Sequence, residues 1–334
     1  MKVSVGLPTG MEGMMYPVPF AGIHDLVSIA QLAERLGYHS VWGNDHMSTQ
    51  AYVREEFPQP PNFWEILTTY AHIAGQTTTL RMGTGMLVLP MRRDIVVAAK
   101  QIATVDHLSR GRLEIGIGIG AYREEFEALH PGWKVHRGRM VEEAFQALDV
   151  LFNNRISSFD GEFYKFSDVE MYPKLLQSPM PTYVGGNNPN AIERTVEYAT
   201  GWLPACLEAG KLREDVARLH ELAQAKGRDP LSFEVAPQYV VYVGKTHEEA
   251  VRRFRESQMC KHLVSLSTST LKDQGDTAFE EINLIGSVDE VIAKARRLKE
   301  AGATHLLGLY FAVNTLEELY DQMTIFAEEV VPHI

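Results

Sequence analysis

The sequence predicts an α/β fold, a single (β/α)8 TIM-barrel domain over residues 1–334 with insertions after some strands. Short β-branched or apolar segments alternate with longer segments of helical period along the whole chain, in about eight strand-then-helix units. Repeated βα units require right-handed crossovers and a parallel sheet covered by helices. A closed barrel and an open doubly wound sheet both satisfy this rule. The number of units and the length of 334 residues favour the barrel.

The amino-terminal half supplies four strands and four helices. Each helix shows apolar residues at helical spacing, as Leu26, Ile29 and Ala33 do, and Gly37 ends that helix. The predicted strands are Val3–Leu7, Ser40–Gly43, Leu80–Leu89 and Arg112–Ile117. The predicted helices are Asp25–Leu36, Phe63–Gln76, Ile95–Leu108 and Arg139–Phe152.

The carboxyl-terminal half repeats the alternation. Ser287 fits the N-cap of a helix, with Asp289 and Glu290 favourably placed in its first turn. The predicted strands are Pro181–Gly185, Trp202–Ala205, Phe233–Val243 and His305–Tyr310. The predicted helices are Ala191–Thr200, Leu212–Lys226, Glu248–Leu263, Val288–Ala301 and Leu316–Val331.

Three stretches interrupt the alternation, Asn44–Asn62, Ile156–Pro179 and Val264–Ile285. The middle one alternates aromatic and polar residues around Asp160-Gly161, which predicts a hairpin. The third is rich in Ser and Thr without helical period, which predicts a mobile loop. Loops after barrel strands build the active-site face, so these stretches predict a lid or a substrate wall. Substrate identity depends on them.

Composition limits the classes of partner. The formal net charge is -11 and no dense Lys/Arg run is present, which excludes a nucleic-acid partner. No apolar stretch reaches the roughly 20 residues of a membrane span, and the start of the chain is unlike a signal peptide. Cys206 and Cys260 lie far apart, as expected in a reducing compartment, so we expect a cytoplasmic protein. The sequence shows no metal-binding spacing, nucleophile elbow or P-loop.

The stretch RLEIGIGIGAYREEF matches the dinucleotide pattern G-x-G-x-x-A through Gly116, Gly118 and Ala121. That pattern belongs to a first βα turn with an acidic residue ending the next strand. Here it lies in the fourth unit, and the downstream Glu142 and Glu143 fall within a helix. A barrel strand whose glycines let a planar group approach closely is the better interpretation.

Two other places are candidates for binding or chemistry. Gly185 and Gly186 end a strand before a helix, which suits a phosphate, although an ordinary turn explains them equally well. Asp45-His46 ends the second strand, where His46 could exchange a proton and Asp45 could orient a partner by hydrogen bonding. A third cluster, His136, Arg137 and Arg139, fits a solvated helix face better than a contact for an anionic cofactor tail.

Several motifs together resemble one family. The run MGTGMLVLPMRRDIVVAAKQIATVDHLSRGRLEIGIGIG, the strand ending VWGNDH, the YVGG loop and the later GWLP are similar, in order and over nearly the full chain, to bacterial luciferase-like oxidoreductases. The resemblance implies a (β/α)8 barrel that binds FMN or the deazaflavin coenzyme F420 at the carboxyl ends of the strands. It also implies a cis peptide between Gly85 and Met86, catalytic roles for His46 and Asp45, and a possible homodimer. The implied cofactor-binding residues are Asp45, Gly85, Met86, Val88, Gly118, Gly120, Gly185, Gly186 and Asn187.

The choice of cofactor depends on fewer residues. Asp45-His46 is typical of the F420-dependent branch of the family, whereas Ile119 stands where FMN members carry a phosphate-binding Arg. Ala121 stands where F420-dependent sugar-phosphate dehydrogenases carry a catalytic Glu, and the nearby Glu124 and Glu125 do not match that position. Trp42, Trp64 and Met86 are candidates to line the site, with core packing favoured for Trp42.

The resemblance therefore implies hydride transfer between F420 and a small organic substrate. One alternative is an FMN-dependent monooxygenase that uses O2 and reduced flavin from a separate flavin reductase. Another is a flavin-binding barrel without catalysis. A dinucleotide-dependent barrel reductase is the most distant alternative.

Overall fold

The computed structural model describes residues 1–266, 271 and 277–334. Its strands are β1 (Lys2–Leu7), β2 (Ser40–Gly43), β3 (Arg81–Val88), β4 (Leu113–Gly118), β5 (Ser157–Asp160), β6 (Lys165–Val169), β7 (Thr182–Gly185), β8 (Gly201–Leu203), β9 (Glu234–Val235), β10 (Val240–Gly244), β11 (Leu284–Ser287) and β12 (His305–Phe311). Its α-helices are α1 (Ile23–Arg35), α2 (Ala51–Glu56), α3 (Ile66–Ala74), α4 (Ile95–Leu108), α5 (Arg123–Leu129), α6 (Arg137–Asn153), α7 (Pro189–Tyr198), α8 (Ala209–Ala225), α9 (His247–Glu256), α10 (Gln258–Leu266), α11 (Phe279–Ile282), α12 (Val288–Glu300) and α13 (Leu316–Ile325).

The main sheet closes into a parallel barrel. Its strands follow the order β12-β1-β2-β3-β4-β7-β8-β9, and β10 returns to pair with β12. Because β9 and β10 are successive parts of one strand, this pairing joins the two edges of the sheet. Leu307 N donates to Pro237 O and Tyr310 N to Tyr239 O, both at 3.1 Å, across the closure. The predicted (β/α)8 barrel is confirmed.

Two predicted elements are interrupted. The strand Phe233–Val243 divides into β9 and β10 around Pro237, which has no N–H to donate to β12. The helix Glu248–Leu263 divides at Ser257, whose backbone is extended and whose Oγ accepts from Cys260 N at 3.2 Å. That hydroxyl starts α10 in the way an N-cap does. The continuous predictions were therefore wrong at these two points.

The insertions contain more structure than predicted. The hairpin β5–β6 forms around Asp160 as expected. Two short helices that the sequence did not predict, α2 and α5, follow β2 and β4. The predicted loop Val264–Ile285 is shorter than expected at both ends, because its first residues end α10 and β11 begins at Leu284 and pairs with β10. Residues 267–270 and 272–276 of this loop lie outside the described residues. Ser287 forms a capping box with Glu290, as its position predicted.

The barrel interior is filled by a small apolar cluster. Trp42 and Tyr183 are buried there, with their ring centroids 5.3 Å apart. A Cβ on Gly83 would lie 2.2 Å from the Trp42 indole, and one on Gly116 would lie 3.2 Å from it. Gly83 and Gly116 therefore leave room for the Trp42 indole rather than for a bound ligand. Trp42 has the packing role that was expected.

A polar network occupies the amino-terminal end of the barrel. His305 Nε2 lies 2.6 Å from Ser4 Oγ, and its Nδ1 lies 3.4 Å from Glu234 Oε2. Lys2 also bonds Glu234, and Glu114 pairs with Arg81 at 2.6 Å. Within the described residues, no helix is long and apolar enough to cross a membrane.

Candidate active site

His46 lies just beyond the carboxyl end of β2, the end at which barrel enzymes carry their chemistry. Its Nδ1 is 3.0 Å from Oε2 of Glu125, a residue of α5 whose side chain is 3% exposed. The ring is flanked by Phe63 and Tyr122, each with its centroid 5.8 Å away. The site therefore contains a histidine–carboxylate pair.

Glu125 is held in its ionised form. Burial opposes ionisation, but hydrogen bonds from His46 and from the backbone N–H groups of Met47 and Ser48 outweigh it, so the pKa of Glu125 lies below its ordinary value. An ionised carboxylate accepts hydrogen bonds only, so His46 presents its Nδ1–H to Glu125. The other ring nitrogen, Nε2, is then left to accept or give a proton at the barrel rim.

Asp45 was expected to take part in catalysis, but its hydrogen-bond partners belong to β3 and to Arg92. It is buried, and its Oδ2 accepts from Val88 N at 2.9 Å and from Arg92, while its Oδ1 accepts from Arg92 Nη2 at 2.9 Å. Arg92 also bonds Glu65 at 3.1 Å. Asp45 therefore fixes the end of β3 beside β2, and the carboxylate that orients His46 is Glu125. The Val88 N–H is likewise engaged and not free for a ligand.

The predicted bulge residues are brought together. The Gly85–Met86 peptide is cis, as the resemblance implied, and the β3–β4 register shifts between Thr84 and Leu87. The Met86 side chain lies against two other predicted residues. A Cβ on Gly185 would lie 2.5 Å from Met86 Cε, and one on Gly118 3.1 Å from Met86 Cβ. Gly85, Met86, Gly118 and Gly185 thus form one continuous wall.

Arg137 lies at the rim above β4 and is only half-exposed. Its Nη1 donates to Gly120 O at 2.8 Å and to Ile119 O at 3.2 Å. It forms no salt bridge with any carboxylate in the described ranges, whereas the exposed Arg139 bonds Glu162. The prediction of a solvated helix face fits Arg139 but not Arg137, which supplies an unneutralised cation beside Gly120.

The Gly185-Gly186 loop is partly committed to the fold. The Asn187 side chain exchanges two hydrogen bonds with the Ala205 backbone, of 2.9 and 2.8 Å, and Gly186 N donates to Leu203 O. The Asn187 side chain therefore links the loops after β7 and β8, and its contact with a phosphate stays a prediction. Gly186, at φ +129°, takes a conformation that favours glycine.

Two insertions cover the rim beside His46. The Gln50 Nε2 lies 3.4 Å from His46 Nδ1, and α2 follows directly. Lys261 of α10 bonds Glu56 of α2 at 3.0 Å, so the two helices are neighbours at the surface. His262, on the same helix, is 5% exposed and interacts electrostatically with His46. Gln50, Glu125 and His262 were not predicted as site residues.

No group of three or more His, Cys, Asp or Glu side chains in residues 1–266, 271 and 277–334 could hold a metal ion. The barrel and its rim residues define an enzyme with candidate acid–base chemistry at the carboxyl ends of parallel strands. A family described as luciferase-like monooxygenase matches residues 1–305. The chain belongs to this luciferase-like family of F420- or flavin-dependent oxidoreductases and monooxygenases.

Its relatives use more than one cofactor. The chain is 31% identical over 177 residues to the oxygenase component of a flavin-dependent trigonelline monooxygenase from Acinetobacter baylyi, a match that covers 52% of this chain and only 46% of that protein. It is 24% identical over 327 residues to an F420-dependent glucose-6-phosphate dehydrogenase from Amycolatopsis mediterranei, covering 94% and 95% of the two chains. A solved F420-dependent secondary alcohol dehydrogenase superposes with a TM-score of 0.80 at 19% identity, covering 99% and 98%.

Proposed function

We propose that the chain is an oxidoreductase that uses coenzyme F420 for hydride transfer to or from a small organic substrate. The observation that carries the proposal is the His46–Glu125 pair, which leaves a proton-exchanging nitrogen at the barrel rim. Asp45-His46 at the end of β2 favours F420 because that dipeptide is typical of the F420-dependent branch. The relatives named as F420-dependent support the same choice.

The wall and the rim fit a flat ring that carries a phosphate. Gly118 and Gly185 lack a Cβ where the Met86 side chain lies, so Met86 packs directly on β4 and β7 and would present the face for a ring. Arg137 and the amino-terminal end of α7 would hold the phosphate, because helix ends and guanidinium groups both bind phosphate oxygens. When bound, F420 supplies a ring carbon that accepts or gives a hydride.

The chain's own residues would manage the proton. His46 Nε2 would take the proton from a substrate hydroxyl, or return it to a carbonyl oxygen, as a general base or acid. Glu125 would stabilise the imidazolium that forms, since it holds Nδ1 through a charge-assisted hydrogen bond. The Asp45–Arg92 pair would hold the bulge in place through the Val88 N–H.

One observation favours a second candidate, an FMN-dependent monooxygenase. Ile119 lacks the guanidinium of FMN members, but Arg137 brings one to the carbonyl oxygen of that same residue. The relative from Acinetobacter baylyi is named an oxygenase component, which implies a separate partner protein. Under this candidate, a flavin reductase would supply reduced FMN.

Cofactor titration tests the proposal. The purified chain is titrated with F420 and, separately, with FMN, and binding is followed by the change in cofactor fluorescence. We expect micromolar binding of F420 and at least tenfold weaker binding of FMN, a difference of about 1.4 kcal/mol. Tight FMN binding without a response to F420 would replace the proposal by the monooxygenase. Binding of either cofactor without any redox turnover would support a non-catalytic barrel.

A further inference from the structure

Three buried polar atoms in the segments around His46 have no hydrogen-bond partner in the described structure. They are Gln50 Oε1, Trp64 Nε1 and His262 Nδ1. Buried side-chain polar atoms in folded proteins are nearly always paired, so each such exception requires an explanation. The three come from the loop after β2, the segment before α3 and helix α10. They are distant in sequence. Gln50 and His262 interact with the His46 ring, and Phe63, the neighbour of Trp64, packs against it.

Each of the three side chains belongs to a different part of the fold. The Gln50 side chain is fully buried with its amide nitrogen 3.4 Å from His46 Nδ1. Trp64 is anchored through its backbone N–H to Thr9 O at 2.7 Å, and its neighbour Phe63 lies against the His46 ring. His262 is buried on α10, the helix whose Lys261 bonds Glu56 of α2. The three polar atoms are buried, so their lack of a partner does not come from exposure to solvent.

The charges nearby disfavour an anionic ligand. Glu125 is ionised, and the neighbouring Glu124 accepts from Ala51 N at 3.1 Å. The cation closest to Asp45, Arg92, is neutralised by two carboxylates. Burial, with a smaller contribution from His46, lowers the pKa of His262 to about 4, so its ring is neutral at physiological pH. A neutral imidazole, an amide and an indole N–H offer both donors and acceptors without net charge.

We propose that Gln50, Trp64 and His262 form the substrate-recognition site, and that it takes an uncharged alcohol or carbonyl compound rather than a phosphate or carboxylate. The inference rests on the proposed function, because it places the substrate oxygen beside His46 Nε2. An indole N–H that donates and an amide oxygen that accepts suit a hydroxyl group, which does both. An anion would face the ionised Glu125, and among the described residues Arg92 is already neutralised while Arg137 is assigned to the cofactor phosphate. The site thereby selects against sugar phosphates.

A matched series of ligands tests this. Cofactor-loaded protein is titrated with cyclohexanol, cyclohexanone and cyclohexanecarboxylate, and binding is followed by the shift of the His262 ring resonances in NMR and by calorimetry. We expect the two neutral ligands to bind at least tenfold more tightly than the carboxylate. His262→Leu should weaken both neutral ligands about tenfold, the value of one hydrogen bond of 1.4 kcal/mol, whereas Gln50→Leu should weaken only cyclohexanol, because a ketone has no proton to donate to the amide oxygen. The control His24→Leu, at an exposed position, should change nothing.

Equal or tighter binding of the carboxylate, no binding of any member of the series, or unchanged affinities in the His262 and Gln50 variants would overturn the inference. The cofactor titration of the same samples separates the two proposals. If the cofactor binds and the series fails, only the recognition site is wrong. If neither F420 nor FMN binds the unmodified chain, the proposed function itself is wrong. Thermal melting of each variant checks that the fold is retained.

Discussion

Glu125 Oε2 lies 3.0 Å from His46 Nδ1, although 79 residues separate the two along the chain. The contact depends on the loop after β2 meeting the short helix α5 after β4. Glu125 also accepts from two backbone N–H groups next to His46, so one carboxylate fixes both the ring and its loop. An orienting carboxylate of this kind sets which ring nitrogen carries the proton.

Replacing Glu125 by Gln should remove the carboxylate that keeps the proton on His46 Nδ1. We expect turnover of a substrate identified for the enzyme to fall on the order of 10²-fold, because positioned acid–base catalysis contributes about that much. The ring 15N resonances of His46 should change from a fixed Nδ1–H form to a mixture of tautomers, which a merely structural role would not cause. Glu124→Gln is the matched control, since Glu124 only accepts from Ala51 N. Unchanged 15N resonances in Glu125→Gln would show that another group orients the ring.

Arg137→Gln should weaken the binding of a cofactor that carries a phosphate and leave the binding of one without a phosphate unchanged. The guanidinium next to Gly120 is half-buried and has no carboxylate partner in the described part of the chain, so its charge is available to an anion. We expect FMN affinity to drop about tenfold, one charge-assisted hydrogen bond, while riboflavin affinity stays constant. Fluorescence titrations of both ligands measure the two affinities. Arg139→Gln, exposed and paired with Glu162, is the control. An equal loss for both ligands would place Arg137 away from the phosphate.

The barrel and the location of its rim were predictable, because alternating apolar strands and amphipathic helices have clear periods. His46 was singled out by its place at a strand end, whereas the Gly85–Met86 peptide was implied by the resemblance to the luciferase-like family. Glu125 was seen in the sequence but not assigned, since a helix as short as α5 shows no dependable period. His262 was not assigned to the site, because the sequence predicted one continuous helix over Glu248–Leu263 and Ser257 interrupts it. Pairings across tens of residues leave no local pattern, so the partner of His46 could not be derived.

Asp45→Asn should affect stability rather than proton transfer. The substitution leaves the Arg92 guanidinium buried with only Glu65 as a partner, and breaking one partner of a buried pair costs about 3 kcal/mol. Urea unfolding monitored by circular dichroism measures the loss. The double variant Asp45→Asn with Arg92→Met removes the orphaned charge and should recover part of the stability. If Asp45→Asn is as stable as the unmodified chain while turnover is abolished, the residue acts on the chemistry directly.

Gly185→Ala tests the wall around Met86. A Cβ there would overlap the flexible end of the Met86 side chain, so the chain should fold with little loss of stability while the wall shifts. We expect weaker cofactor binding by fluorescence, and recovery when Met86→Ala is added. Gly83→Ala provides the contrast, because its Cβ would meet the rigid Trp42 indole. That variant should lose about 1–3 kcal/mol of unfolding free energy, as overpacked cores do. Failure of Met86→Ala to restore binding would argue against contact between the wall and the cofactor.

The polar network at the amino-terminal end of the barrel should make the free energy of unfolding decrease as the pH falls. Burial opposes ionisation of Glu234, but the nearby His305 ring and the bond from Lys2 outweigh it and lower its pKa to about 2, below the ordinary 4.5. An unfolded chain binds this proton at a higher pH than the folded one, so the stabilisation is present above pH 4.5 and is lost as the pH falls toward 2.

His305 adds to the same trend over a higher range, because burial lowers its pKa and the unfolded ring gains a proton below about pH 6.5 first. Urea unfolding between pH 7 and pH 3 should therefore show stability falling throughout. Glu234→Gln should flatten the part below pH 4.5, where Glu234 itself titrates. Glu197→Gln removes an exposed pair with Lys226 and should leave the curve unchanged, since surface pairs contribute little. An unchanged slope below pH 4.5 in Glu234→Gln would assign the acid sensitivity to other carboxylates.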